Sequence, residues 1–364
     1  MDLLAAVAAS MLPLSRGRVA AALKELRLNR GDAPVPEVLA ALGIPPDARG
    51  ALARGAHEAA AAALACAGST GIDPVPWFDA RYPALLNCIT DPPPVLWVRG
   101  RAEVLGRRAV AIVGSRAATP YALDVGRRLG AELAERGVVV ASGLARGVDS
   151  AAHRGCLDAG GITIGVLGSG LDRIYPTEHE ALAASITKDG ALVSELGPGG
   201  PPLPEHFPLR NRIISGISLA VVVVEASDKS GSLITARCGL EQGRDVMAVP
   251  GSILSGRNRG SHRLLKDGAK VVESADDILE ELGWPPAAAG SSLSDGTRPE
   301  SAAKSLTEEP LVGQMAPGEW YGLDQLAMLT GLTAARLLTR LMQLELAGRV
   351  RTAGGRFARV TGRE

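Results

Sequence analysis

Six short apolar runs constrain this chain more than any other feature: Ala109–Val113, Val138–Ser142, Ile162–Leu167, Ala191–Ser194, Leu219–Val224 and Asp245–Val249. Each is continuously apolar instead of alternating, as expected of strands covered on both faces. Helical text separates most of them. Thr119 is placed to cap a helix with Pro120 at its first position and Gly137 just past its end. Val125, Leu129 and Leu133 then share one face. Strand and helix alternating in this way specify an α/β fold, a doubly wound Rossmann-like parallel sheet.

Composition divides the 364 residues into further parts. Residues 1–68 are Ala/Leu/Arg-rich helical text broken by Gly31, the Pro34 and Pro36 pair and Pro45-Pro46, which predicts a small helical N-terminal domain. The apolar start lacks a basic segment ahead of it, so it reads as a first helix and not a signal peptide. Residues 70–284 hold the α/β domain, and 286–307 form a Pro/Gly/Ser/Ala-rich linker. Residues 308–362 suggest two helices joined at Gly331-Leu332 and a hairpin-like wing turning at Gly354-Gly355, a C-terminal winged-helix domain. From Ala335 onward there are seven arginines against two acids, which suits duplex DNA or a protein partner equally. No apolar run reaches the ~20 residues a membrane span needs. The four cysteines, Cys66, Cys88, Cys156 and Cys238, have no metal-ligand spacing and read as reduced, buried thiols of a cytoplasmic protein.

In a doubly wound sheet, ligands sit beyond the carboxyl ends of the strands. Three loops there combine glycines with an arginine: Gly114-Ser115-Arg116, the segment from Ser142 to Asp149 containing Arg146, and Gly168-Ser169-Gly170 with Arg173. Glycine lets backbone amides approach a phosphate, and the guanidinium fork matches its oxygens. Arg210-Asn211-Arg212 adds three donors before the fifth apolar run. Ser232 opens a helix whose amides can face an anion. The stretch Gly256–Arg263 and Lys266 contribute more cations to a chain whose formal net charge is zero. The basic rim is therefore local.

Enzyme signatures do not assemble. Gly-Lys occurs nowhere, which excludes a phosphate-binding P-loop; there is no HExxH or GxSxG, and the third loop lacks a ribose-binding acid. No cofactor is expected. Asp149 reads as a helix cap and His153 as a packed side chain; Glu225 could act as a base or orient Arg210 or Arg212. Aromatics make up only 3% of the chain, so contacts to a strand would be electrostatic more than stacked.

The ordered motifs Val110–Arg116, Ser142–His153, Leu167–Pro176, Phe207–Gly216, Val223–Ala236 and Gly243–Gly251 resemble the DNA-processing protein A family, also called Smf. Tyr82-Pro83, Leu85-Leu86 and Asp91-Pro92-Pro93 resemble the family's lead-in. The resemblance runs through residues 70–284, with looser likeness to the family's SAM/helix-hairpin-helix-like N-terminal domain and its winged helix. The segment from Met11 to Ser15 lacks the second glycine of a helix-hairpin-helix. His262 stands where the family more often has Asn. The resemblance implies a homodimer through the α/β domain that binds incoming single-stranded DNA, protects it and loads RecA recombinase during natural transformation, with no enzymatic step. It assigns DNA contacts to Gly114, Ser115, Arg116, Arg146, Gly168–Arg173 and Arg210-Asn211-Arg212, beside which Ser232 and Lys266 stand as further candidates. Two other readings are a nucleotide phosphoribohydrolase-like enzyme and a duplex-DNA regulator acting through the winged helix.

Overall fold

The computed structural model describes residues 2–30, 34–284 and 310–360, apart from 314, 317–318, 331, 333, 347 and 354–355. Gly31, the 286–307 linker, Gly331 and the Gly354-Gly355 turn lie outside the described residues. The chain divides into two compact units, Met1–Ala287 and Ala288–Glu364.

The first unit begins with four helices, α1 (Leu3–Ser10), α2 (Arg16–Arg30), α3 (Val35–Ala41) and α4 (Pro46–Thr70). Asp2 caps α1 by accepting from the Ala5 amide at 2.8 Å, and Ala6–Ala9 are buried. Two strands that the sequence pattern did not reveal follow, β1 (Asp73–Pro76) and β2 (Val95–Gly100), with α5 (Ala84–Asn87) between them. The alternating part comprises β3 (Ala109–Val113), α6 (Pro120–Glu135), β4 (Val139–Ser142), α7 (Val148–Asp158), β5 (Thr163–Leu167), α8 (Glu180–Asp189), β6 (Ala191–Ser194), α9 (His206–Gly216), β7 (Ala220–Val223), α10 (Ser232–Glu241), β8 (Asp245–Ala248), α11 (Arg259–Lys266), β9 (Lys270–Val271) and α12 (Ala275–Glu281).

The sheet order is β1-β2-β6-β5-β4-β3-β7-β8-β9. All strands from β6 to β9 run parallel; β2 pairs antiparallel with β6, and β1 antiparallel with β2. Both faces are covered, which explains the unbroken apolarity of the strands. Ala109, Ala111 and Val113 of β3 face Ile213, Ile214 and Ala236 of α9 and α10, whereas Val110 and Ile112 join Leu129, Leu133, Ala152 and Ile278 of α6, α7 and α12. Helices α1–α4 share a third cluster with Val95, Trp97, Leu171 and Ile186 at the β2–β6 end of the sheet.

Local signals act as the pattern requires. The Thr119 side chain caps α6 by accepting from the Ala122 amide at 3.2 Å, Pro120 opens the helix, and Gly137 follows it at φ 71°. Gly114 is needed for close approach: a Cβ there would lie 2.5 Å from Val148 Cγ2. Three of the four thiols expected to be buried are not, since Cys238 is only half-buried. Cys66, on the outer face of α4, and Cys88, after α5, are both exposed; Cys156 is buried, and its burial pushes its pKa up to about 12.

The second unit contains α13 (Pro310–Gly313), β10 (Tyr321–Gly322), α14 (Leu323–Thr330), α15 (Ala334–Leu346), β11 (Val350–Ala353) and β12 (Arg356–Arg359). Its sheet, in order β10-β12-β11, is antiparallel. Leu326, Leu337, Leu341, Val350 and Phe357 form its core. This is a winged-helix arrangement. Among the described residues no helix is long and apolar enough to cross a membrane.

Candidate nucleic-acid interface

The sheet order places its reversal at β3, which has β4 on one side and β7 on the other. Chain connections diverge there, leaving a crevice beyond the carboxyl ends of β3 and β7. A cleft of about 440 Å³ occupies that position. It is lined by Gly114–Ala117 after β3, by Ser227 and Ser230–Ser232 after β7, by Thr235 of α10, and by Phe207, Arg210, Asn211 and Ile214 of α9.

Arg210 forms its floor. The side chain is buried; Nη1 donates to the Gly143 carbonyl at 2.5 Å and to the Val166 carbonyl, and Nε donates to Asn211 Oδ1 at 3.1 Å. These acceptors, from the loop after β4, from β5 itself and from its own helix, lock the fork in place. Nη2 has no acceptor among the described residues. Burial lowers the Arg210 pKa to about 10, with the Asp149 carboxylate opposing that shift and Arg116 adding to it. The group therefore stays charged at neutral pH.

Asp149 is the carboxylate behind it. The residue is the second of α7, which Gly147 precedes, so it caps no helix; instead Oδ2 accepts from the Gly143 amide at 3.1 Å and the Ala145 amide at 3.4 Å. Burial raises its pKa, against Arg210 and the two amides. His153 does not meet it: Nδ1 lies 2.7 Å from Thr163 Oγ1, and burial depresses the imidazole pKa to about 3. Glu225 orients neither arginine. It is buried and accepts from Thr119 Oγ1 at 2.6 Å and from the Thr119 amide at 3.3 Å, so it anchors the start of α6.

At the mouth, exposed Arg116 stands 5.4 Å from the centre of the Phe207 ring, and Tyr175 packs against the same ring at 5.4 Å. Guanidinium and aromatic faces together offer a cation and a stacking surface. The amino end of α10 opens into the cleft with no side-chain cap, and its Ser232 Oγ lies 2.7 Å from Ser230 Oγ. Its dipole favours an anion, while the Ser232, Leu233 and Ile234 amides donate to Ser230 Oγ at 3.4 Å, the Ser230 carbonyl at 3.1 Å and the Gly231 carbonyl at 3.1 Å.

Of the sequence candidates, Gly114, Ser115, Arg116, Arg210, Asn211 and Ser232 meet at this cleft. The others do not line it. Arg146 is exposed and forms a two-pronged pair with Glu178 at 2.6 Å. Gly168, Ser169 and Gly170 are buried in a self-satisfied turn, with Ser169 Oγ donating to the Arg173 carbonyl at 2.7 Å and the Gly170 amide to the Gly200 carbonyl at 2.8 Å. That turn packs against Phe207 and so builds the cleft wall from behind. Arg173 is exposed at its edge.

Arg212 faces elsewhere for a helical reason. The 207–216 segment is a helix, with Pro208 tolerated in its first turn. Residues two apart on a helix point to different sides. Nε of Arg212 donates to Asp91 and Nη2 to Glu195, both at 2.8 Å, away from the cleft. Lys266 ends α11, whose crossover from β8 to the parallel β9 carries it to the amino edge of the sheet. Phe207 and Tyr175 were not among the sequence candidates. Their signal was positional, since the chain has only three Phe and four Tyr, and two of these border rim motifs.

An open doubly wound sheet with arginines, loop backbone and a helix amino end converging at its switch point defines an α/β protein with a cationic cleft at the strand ends. Comparison with known sequences makes this specific. The profile of the DNA recombination-mediator protein A family matches residues 74–283, and that of the DprA winged helix domain matches 296–356. The chain belongs to the DprA/Smf family. Protein Smf of Escherichia coli is 43% identical over 77% of this chain and 75% of its own length; DNA processing protein DprA of Bacillus subtilis is 45% identical over 60% and 74%. Among solved structures, DprA from Streptococcus pneumoniae superposes with a TM-score of 0.70 at 35% identity, covering 77% of this chain and 98% of that one. DprA from Helicobacter pylori, solved in a study of its single-stranded DNA binding mode, gives 0.53 at 29% identity over 58% and 95%.

Proposed function

We infer that this protein is a non-enzymatic mediator that binds single-stranded DNA in the switch-point cleft, protects it and loads RecA recombinase onto it during natural transformation. The observation that carries the reading is the cleft's donor set. Arg210 presents an Nη2 with no acceptor among the described residues, Arg116 stands at the mouth, and the Gly114-Ser115 loop and the positive dipole end of α10 complete a phosphate cradle. Phosphate grip of this kind is indifferent to base sequence. The relatives' names and the strand-binding study of the H. pylori protein support the choice of polymer.

Titration of fluorescent oligothymidine against salt tests it. Log affinity should fall linearly with log salt, by ~0.7 for each phosphate neutralised. A flat response, or equal affinity for free nucleotides, overturns the reading. Co-precipitation with RecA, with and without the strand, tests loading. Sedimentation tests the homodimer that we propose through the α/β domain, in a cytoplasmic setting. Of the other DNA-binding candidates, Arg146 and Arg173 are proposed as outlying contacts along the strand's path.

The phosphoribohydrolase reading needs a carboxylate free to act on a sugar. Asp149 is the carboxylate lining the cleft, and two loop amides and burial hold it. Release of free base from nucleoside monophosphates would overturn the non-enzymatic reading. Deleting residues 308–364 separates off the duplex-DNA reading, because strand binding should survive in the first unit.

A further inference from the structure

The loop between β8 and α11 sits beside the cleft. It is braced at its base. The buried Asn258 side chain donates from Nδ2 to the Ser252 carbonyl at 3.3 Å, and His262 Nε2 lies 3.0 Å from the Gly251 carbonyl. Ser252 Oγ accepts from the Leu254 amide at 3.2 Å, and Gly256 turns the chain at φ 68°. The bracing reaches the cleft itself. Arg257 Nη1 donates to the carbonyl of Ala117, a cleft residue, at 2.7 Å. The Gly260 amide donates at 2.8 Å to the carbonyl of Ala226, next to cleft residue Ser227, and Ser261 Oγ accepts from the Ala226 amide at 3.0 Å.

On this fixed base stand Ile253 and Leu254, 81% and 92% exposed, the two most exposed large apolar side chains among the described residues of the first unit. Isolated exposed apolar residues are ordinary. Two adjacent ones at the tip of a stapled loop, flanked by exposed Arg257 and Arg259, are a presented surface. The cations favour a polyanion, and the apolar tip needs a flat apolar partner. An unpaired base joined to phosphates supplies both, and Ile and Leu are side chains that insert between bases elsewhere.

We propose that Ile253 and Leu254 form an apolar finger that packs against the bases of a single strand whose phosphates occupy the neighbouring cleft, with Arg257 and Arg259 on its backbone. The proposal rests on the strand-binding reading. It assigns the finger to bases, whereas the cleft holds phosphates, and the two parts separate experimentally.

The test uses the full chain with two probes of equal length, oligothymidine and an abasic oligomer. The double variant Ile253→Ser, Leu254→Ser should bind oligothymidine about tenfold more weakly, in line with the apolar area that two aliphatic side chains would lose from the contact. Its affinity for the abasic oligomer and its salt slope should not change. Leu254→Trp should restore or exceed parental affinity, with indole fluorescence quenched on binding oligothymidine but not the abasic probe. Equal affinity of parent and double variant for oligothymidine overturns the finger alone, and so does a parallel loss on both probes. A parent that shows no salt-dependent strand binding overturns both the finger and the reading beneath it.

Discussion

The two sides of α9 carry arginines two residues apart that do opposite work. On one side Arg210 holds the Gly143 carbonyl after β4 and the Val166 carbonyl of β5 and leaves Nη2 without an acceptor among the described residues, with Asp149 as its counter-charge. On the other, Arg212 closes onto Asp91 and Glu195 and reaches the Leu209 carbonyl with Nη1 at 3.5 Å, so each of its three nitrogens is engaged within the protein, and Glu195 also accepts from Arg16 at 3.3 Å. Both are buried guanidinium groups in one motif. What separates them is the balance of nearby charge: two carboxylates neutralise Arg212 in contact, whereas none touches Arg210. A buried cation without a contacting anion carries an uncompensated desolvation cost that an incoming anion would relieve. A buried cation with two is part of the scaffold.

Four substitutions would sharpen or break this contrast. Arg212→Ala leaves Glu195 with the half-buried Arg16 as its remaining partner, and breaking a buried pair costs up to about 3–5 kcal/mol; urea unfolding should show a loss toward that size, while strand affinity per folded molecule stays near parental. Arg210→Met removes the donors to Gly143 and Val166, and unsatisfied buried acceptors cost about 1–3 kcal/mol. This variant should lose both stability and strand affinity, and retention of full affinity would erase the distinction between the two sides. Arg116→Ala touches only the exposed mouth. Loss of a charge-assisted contact predicts about 1.5–3 kcal/mol in strand affinity by fluorescence anisotropy, with stability unchanged within about 0.5 kcal/mol. Arg173→Ala, on the self-satisfied turn behind the wall, should cost the strand complex no more than about 1 kcal/mol, as for an exposed ionic contact. A loss as large as that at Arg116 would extend the interface past the cleft.

The six apolar runs were legible as strands because burial on both faces writes itself as unbroken apolarity. β1 and β2 were not. They pair antiparallel at one edge, and Pro74, Pro76 and the charged Arg99 interrupt their text. The Gly-Ser-Arg loop after β3 was readable as a ligand edge from the rule that sites lie beyond strand ends. The third loop looked equivalent, yet its glycines serve a buried turn. Glycine content alone does not distinguish a backbone that faces a ligand from one that faces another loop. Phe207 was invisible as a site residue because an apolar side chain next to Pro reads as core.

Sequence by itself determined the class of fold, the order of the six central strands and the local basicity of a neutral chain, which follow from periodicity, caps and composition, properties of neighbours along the chain; the family came from the resemblance of its ordered motifs. The tertiary structure alone decided which cations converge. Arg210 and Arg116, 94 positions apart by the difference of their numbers, meet because the strand order reverses at β3. Arg212, two positions from Arg210, is turned away because a helix separates the directions of such neighbours and two distant carboxylates stand ready to receive it.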